Sequence, residues 1–278
     1  MPELPEIETV KLQLQKVLVG QKLLKSNFPE VTGKTVKEIK RLGKVLLINF
    51  DSSAGSELNL GFHFKMTGQL IYIPHPSPLL NSGEGKRIVG GHPTEDFWNT
   101  MPGKHTRLIL EFNNGKLYFN DQRKFGWVMI NPKFVDKLGP EALEITTDKF
   151  LKLLGKLKKP IKLAIMDQEI ISGVGNIYAN DALWESRINP RFPVNQLSVE
   201  QLTSLLEKLK LVLREGIKYG GATASDAKYI DLHGLGGHYQ EHFRVYDREG
   251  QKCHRGDGVI EKFVLGGRGT YWCPRCQS

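Results

Sequence analysis

Between positions 44 and 130 the sequence falls into apolar runs that are too short for helices and are separated by turn residues. Residues 44–50, 58–64, 69–73, 108–112, 116–119 and 126–130 read as strands, and no helical pattern alternates with them. Asn113-Asn114-Gly115 reads as the turn of a hairpin between two of these runs. Many short strands without crossover helices pack sheet on sheet, so residues 1–133 are expected to form a β-sandwich. One helix leads into it. Ile7, Val10, Leu14, Val17 and Leu18 recur at helical spacing over 3–18, and Gly20 ends the pattern. Residues 74–103 are rich in Pro, Gly and Ser and are expected to be a long loop.

After a linker at 131–140 the period changes. Residues 147–157 and 198–217 are expected helices, the second opening on a Ser198–Gln201 capping box and ending at Gly220-Gly221. A further helix is expected to start near Asn176. From about Phe243 the chain returns to short strands with Gly-rich turns. The expected class is α+β multidomain: an N-terminal β-sandwich with its leading helix (1–133), a helical domain (134–228) and a C-terminal cysteine-bearing β-hairpin (229–278).

The chain has 278 residues, 40% of them hydrophobic, which is enough for a buried core. Lys and Arg number 39 against 30 Asp and Glu, a net charge of +9 that points to a polyanionic partner. Nucleic acid fits better than a membrane surface, because no basic amphipathic helix with an aromatic face stands out. No apolar run is long enough to span a bilayer, and the first twenty residues carry acids rather than a secretion signal. A cytoplasmic location is therefore expected.

The only three cysteines lie at or after position 253. Cys273-Pro274-Arg275-Cys276 is a CxxC pair, the spacing of one half of a structural zinc site, which normally needs a second pair. Upstream stands Cys253 alone, with Gly256 where its partner would fall. The interval fits a zinc ribbon that lacks one ligand, and His254, Asp257 or water could supply the fourth. A redox pair is the alternative, disfavoured because no βαβ context surrounds it.

At the other end stands Met1-Pro2-Glu3-Leu4-Pro5-Glu6. Removal of Met1 would leave Pro2 as a secondary amine; α-amino groups titrate near ~8 against ~10.4 for lysine. Such an amine can attack a sugar carbon and form a Schiff base, with Glu3 beside it as acid or base. Pro and Glu are equally ordinary in the first turn of a helix. Ser172-Gly173-Val174-Gly175-Asn176 is either a plain interhelical turn or a phosphate site at a helix N-terminus. The nearby Lys152, Lys156, Lys158, Lys159 and Lys162 would support the latter unless they form a solvated face. Met66 and Phe125, flanked by Lys65, Arg123 and Lys124, are either core residues or wedges between bases.

Together these stretches resemble the formamidopyrimidine-DNA glycosylases, relatives of endonuclease VIII. The resemblance runs along the whole chain, through PELPEIETV, Arg41-Leu42-Gly43-Lys44, HFKMTG, Lys104-His105-Thr106, DQRKFG, SGVGNIYANDALW, Gly220-Gly221, Val245-Tyr246, Arg268-Gly269-Thr270 and CPRCQ. It implies a sandwich, a helix–two-turn–helix domain and a zinc finger, acting as a monomer on duplex DNA held between them. It implies a bifunctional enzyme that flips out an oxidised purine such as 8-oxoguanine or a formamidopyrimidine. Pro2 would attack C1′, Glu3 would act as acid to the opening sugar, and β,δ-elimination would follow. Glu6 would shape the pocket, and Lys44 would contact phosphate and assist catalysis. Met66, Arg123 and Phe125 would fill the gap left by the base. His105, Lys159 and Asn176 would bind DNA, and Arg268 would grip phosphates at the lesion. Zinc would be held by Cys253, Cys273 and Cys276. The family usually carries a cysteine where Gly256 stands, and more often Leu where Phe64 stands. Leu4 resembles the purine-specific branch. Oxidised pyrimidines, or a non-catalytic lesion-binding role, are the alternatives, and a nucleoid-associated place in the cytoplasm would follow from either.

Overall fold

The computed structural model describes residues 1–52, 57–75, 88–91, 101–222, 237–256 and 258–277. They divide into two compact units, residues 1–135 with 220–238, and residues 136–219 with 239–278.

In the first unit, helix α1 (Leu4–Leu18) is followed by strands β1 (Leu23–Lys25), β2 (Val36–Leu42), β3 (Val45–Phe50), β4 (Leu58–His63), β5 (Gly68–Pro74), β6 (Ile88–Gly91), β7 (Thr106–Phe112), β8 (Gly115–Asp121) and β9 (Trp127–Ile130). Among the described residues they form two antiparallel sheets, ordered β1-β7-β8-β5-β6 and β2-β3-β4-β9. The sheets share one apolar core. Leu46, Ile48, Phe50 and Phe62 come from one, Leu70, Leu110, Phe112 and Phe119 from the other. Ile7, Val10, Leu14 and Leu18, the apolar stripe of α1, join the same cluster. The expected sandwich and leading helix are therefore present, and Phe112 pairs with Gly115 across the expected hairpin turn.

Three strands were not expected. β2 carries only two buried apolar positions, Val36 and Ile39, among five charged or half-exposed ones, so its apolar signal is thin. β1 has three residues. β6 lies inside the stretch expected to be loop: Ile88-Val89-Gly90-Gly91 pairs with β5, and β5 supplies the template that its own composition hides. Residues 76–87 and 92–100 of that expected loop lie outside the described residues.

The second unit holds helices α2 (Thr147–Leu154), α3 (Ile161–Ile165), α4 (Asn176–Glu185) and α5 (Val199–Lys218), then the hairpin β10 (Glu261–Leu265) and β11 (Arg268–Trp272). α2 stops three residues earlier than expected because Gly155 caps it, its N–H donating to Leu151 O. The Ser198–Gln201 box opens α5 as expected. α4 is buried from Ile177 through Trp184, so it is the central helix of the unit. Its Asp181 is fully buried and accepts hydrogen bonds from the backbone N–H groups of Arg244, Val245 and Tyr246 and from the Tyr239 hydroxyl. Burial raises the Asp181 pKa to about 6 despite those donors. Arg244 is held in turn by Glu185 at 2.9 Å and Glu215 at 2.6 Å. This network ties the chain entering the finger to α4.

Candidate active site and nucleic-acid interface

Glu3 is the N-cap residue of α1, and Pro2 stands immediately before it. Glu3 and Glu6 form a reciprocal capping box, which fixes the backbone one residue from Pro2. Both carboxylates are buried, Glu3 at 3% and Glu6 at 2% exposure. Glu6 bridges two segments far apart in sequence. Its Oε2 accepts from Glu3 N at 2.7 Å and its Oε1 from Ala222 N at 2.8 Å. Gly221, at φ +90°, has no room for a side chain there, since a Cβ would lie 2.8 Å from Glu6 Cγ.

The β2–β3 turn places Lys44, which is buried. Arg41 braces the turn, donating to Gly43 O at 3.0 Å and to Glu8 of α1 at 2.7 Å. Burial raises the Glu8 pKa, but hydrogen bonds and charge from Lys11 and Arg41 outweigh it and hold the group below its ordinary value. His63, at the end of β4, accepts from Lys65 N at 3.0 Å. Burial first, then the charges of Lys65 and Lys44, push its pKa down to about 3, so the ring is neutral at ordinary pH.

Met66, Arg123 and Phe125 are brought together by a side-chain tie that sequence reasoning did not find. Thr67 and Asp121 hydrogen-bond through Oγ1 and Oδ1. Arg123 N donates to Thr67 Oγ1 at 3.2 Å, and Gly126 N donates to Asp121 Oδ2 at 2.7 Å. The two turns are thereby locked side by side, and Gly68 is required where a Cβ would sit 2.6 Å from Phe64 O. Met66 is 37% and Phe125 56% exposed, which removes the reading of these two as core residues. The Arg123 guanidinium lies 5.2 Å from the Phe125 ring centre. Phe64, by contrast, is core, packed edge-on against Phe119. His105 precedes β7, where its carbonyl accepts from Asp121 N at 2.9 Å.

In the second unit Arg268 opens β11 and is exposed. The adjoining backbone is anchored from two helices. Asn176 Nδ2 of α4 donates to Gly269 O at 3.0 Å. Lys162 of α3, fully buried, donates to Gly269 O at 3.0 Å and to Thr270 Oγ1 at 2.8 Å. Tyr271 N donates to Asn180 Oδ1 at 3.0 Å. Asn176 is thus brought next to Arg268. Lys162 does not belong to a solvated face; its charge supports the hairpin. Lys152, Lys156 and Lys158 are exposed, while Lys159 is ion-paired with Asp167 at 2.6 Å. The signal for Lys162 was its position between Ile161 and Ala164, both fully buried.

The three cysteines are buried and their sulfurs lie within 4.8 Å of one another, with Cys253 and Cys276 3.9 Å apart. Zn–S bonds of about 2.3 Å at tetrahedral angles put sulfurs about 3.8 Å apart, so the spacing fits a metal. Trp184 Nε1 donates to Cys253 Sγ at 3.3 Å, and Arg255 Nη1 lies 3.8 Å from Cys276 Sγ. Burial raises the Cys253 pKa, but the Arg255 N–H and the Trp184 indole bring it below its ordinary value; burial pushes Cys276 up to about 12. His254 does not join the cluster, its Nε2 lying 3.3 Å from Phe243 O. Asp257 lies outside the described residues.

A sandwich opening on a proline–acid pair, a helical domain and a cysteine finger are the parts expected of a helix–two-turn–helix DNA glycosylase. The matches to known proteins follow that order. The N-terminal domain of formamidopyrimidine-DNA glycosylase matches residues 1–128, the H2TH domain of that enzyme 138–228, and the zinc finger found in FPG and IleRS 250–278. The formamidopyrimidine-DNA glycosylase of Herpetosiphon aurantiacus is 32% identical, with 100% of each chain covered. The crystal structure of MutM (FPG) from Thermus thermophilus is 32% identical at a TM-score of 0.82, covering 99% of this chain and 98% of that one. A Lactococcus lactis FPG variant, solved with a Fapy-dG containing DNA, is 31% identical at a TM-score of 0.80, with 100% of both chains covered. The chain belongs to the formamidopyrimidine-DNA glycosylase family.

Proposed function

We propose that this protein is a bifunctional DNA glycosylase and AP lyase that excises oxidised purines from duplex DNA. The observation that carries the reading is the Pro2-Glu3 pair held at the head of α1 by the buried Glu6. With Met1 removed, the Pro2 nitrogen attacks C1′ of the damaged nucleotide. A C1′–N bond forms as the bond to the base breaks, and the base leaves with a proton. Glu3 protonates the ring oxygen as the sugar opens to an iminium. Loss of the 3′ phosphate by β-elimination, then of the 5′ phosphate by δ-elimination, releases the sugar.

The other residues take supporting roles. Lys44 contacts phosphate and assists the first step, and Glu6 shapes the pocket. Met66 and Phe125 fill the space of the extruded base and Arg123 faces the orphaned partner, in keeping with their exposure on a locked pair of turns. His105, Lys159, Asn176 and Arg268 bind the backbone, and the net charge of +9 supports a salt-dependent grip on phosphates. Residues 1–133, 134–228 and 229–278 serve as catalytic, helix–two-turn–helix and finger domains. Cys253, Cys273 and Cys276 hold one zinc ion, whose chemistry is structural: it fixes the finger. The enzyme acts as a monomer, in the cytoplasm at the nucleoid. No helix among the described residues is long and apolar enough to cross a membrane.

Strand cleavage of duplexes carrying 8-oxoguanine, formamidopyrimidine, an oxidised pyrimidine or an abasic site tests the reading. Faster cleavage at the two purine lesions is expected. Preference for the oxidised pyrimidine would transfer the enzyme to the endonuclease VIII activity, and tight binding without cleavage would make it a lesion-binding protein.

A further inference from the structure

The first unit contains a cavity of about 320 Å³ that none of the roles given above uses. Its volume is at the small end of the ~300–1,000 Å³ typical of small-molecule sites. Leu108 and Phe119, both buried, and the partly buried Val128 give it an apolar lining that is continuous with the sandwich core. Two further aromatic rings, Phe28 and Trp127, line it as well. Both are fixed by their surroundings. The hydroxyls of Ser26 and Thr32 donate to Phe28 O at 2.9 and 3.0 Å, and Phe28 N donates to Ser26 Oγ at 3.0 Å. The Trp127 ring lies between His63, with centres 5.6 Å apart, and Phe134, at 4.7 Å. The cavity is therefore preformed by the fold.

The polar part of the lining is cationic. Arg107 and Lys124 both line the cavity and are exposed. Arg107 Nε donates to Asp121 O at 3.0 Å, which holds the guanidinium in place. Asp121 is the only acid among the lining residues, and its carboxylate is engaged by Thr67 Oγ1 and by Gly126 N. Asn27, also exposed, adds a side-chain amide with both donor and acceptor. Lys124 stands at φ +58° between Arg123 and Phe125, and it lines the cavity where those two do not. One turn thus presents the Arg123–Phe125 pair and, apart from it, a cation to the cavity.

These groups suit one ligand chemistry. Aromatic walls take up a planar ring by stacking. An amide can pair with the donor and acceptor on the edge of a base. Arg and Lys together hold a phosphate. We propose that the cavity binds a nucleotide, with its base against Phe28 and Trp127 and its phosphate at Arg107 and Lys124. Neither Pro2, Glu3 nor Glu6 lines it, so this site is additional to the catalytic one. The nucleotide comes either free from solution or as an unpaired residue of a bound strand, and the same groups recognise both.

The test uses the full chain and 2-aminopurine, whose fluorescence is quenched when it stacks. In one arm the probe is the free deoxyribonucleoside monophosphate. In the other it is an unpaired base in a duplex, opposite an abasic-site analogue. Quenching is expected, with binding roughly tenfold weaker in the double variant Arg107→Gln, Lys124→Gln. Asn27→Trp, which fills the mouth from an exposed position and leaves both cations in place, should abolish it; this variant keeps the test decisive if the double variant fails to fold. The nucleoside without its phosphate should bind the unaltered chain as weakly as the monophosphate binds the double variant. Variant-sensitive quenching in the first arm assigns the site to free nucleotides; confined to the second arm, it assigns the site to a bound strand, and either result upholds the proposal. No quenching in both arms, or quenching that Asn27→Trp leaves unchanged, would overturn it.

Discussion

Glu6 is the side chain whose replacement bears most directly on how the site is held. Its carboxylate accepts from Glu3 N at 2.7 Å and from Ala222 N at 2.8 Å, and it is 2% exposed. Glu6→Gln keeps the shape but turns one acceptor into an NH₂ group facing a backbone N–H. A hydrogen bond to a charged group contributes about 1.5–3 kcal/mol, and a buried donor left unpaired costs about 1–3 kcal/mol. Loss of a negative charge at the head of α1 costs about 0.3–1 kcal/mol more. Against this, the variant no longer buries a charge, which returns part of the sum. A net loss of about 2–3 kcal/mol is expected, read from urea unfolding of the two chains at one pH. A cycle with Gly221→Ala separates the bonds from the packing. A Cβ at Gly221 collides with Glu6 and is strained at φ +90°, so Gly221→Ala should cost less when Glu6 is already Ala than when it is Glu. Strict additivity in that cycle, or a Glu6→Gln loss below about 0.5 kcal/mol, would refute the claim that Glu6 clamps the two segments.

Lys162→Met removes the two bonds to Gly269 O and Thr270 Oγ1 together with the cost of burying an ammonium. Stability should change by less than about 2 kcal/mol while affinity for an abasic duplex falls roughly tenfold, because Arg268 is no longer held; unchanged affinity would detach Lys162 from the interface. His63 stays neutral in the fold down to about pH 3, whereas an unfolded histidine takes up its proton near 6.5. The unfolded chain therefore binds more protons in this window, so stability is full above about pH 6.5 and is lost as pH falls towards 3, by at most about 1.4 kcal/mol per unit. His63→Asn, which keeps an acceptor for Lys65 N, should flatten that part of the curve; parallel curves would show that His63 is not the group responsible.

The sandwich was legible because most strands of its core carry their own apolar runs, as 45–50 and 108–112 do. β2 and β6 were hidden because their partners, not their composition, make them strands. The cysteines and the Pro2-Glu3-Glu6 opening could be found by spacing and position. What spacing does not carry is long-range pairing. Nothing local in DQRKFG says that Asp121 reaches Thr67 fifty-four positions away, nor in Glu6 that its second oxygen holds Ala222. Spacing alone groups Lys162 with Lys152, Lys156, Lys158 and Lys159, whether as a phosphate site or a solvated face, whereas its short helix turns this one inward onto the hairpin. Met66 and Phe125 went the other way: apolar residues are mostly core, and only the locked turns explain why these two stay outside.

The central claim is that the backbone nitrogen of Pro2 is the nucleophile. Borohydride trapping on an 8-oxoguanine duplex tests it, with intact mass measured beforehand to establish that Met1 is absent. A covalent protein–DNA adduct is expected in stoichiometric amount, formed at least roughly tenfold more slowly by Pro2→Gly and not at all by chains that retain Met1. Equal trapping by Pro2→Gly, or an adduct mapped to Lys44, would contradict the account.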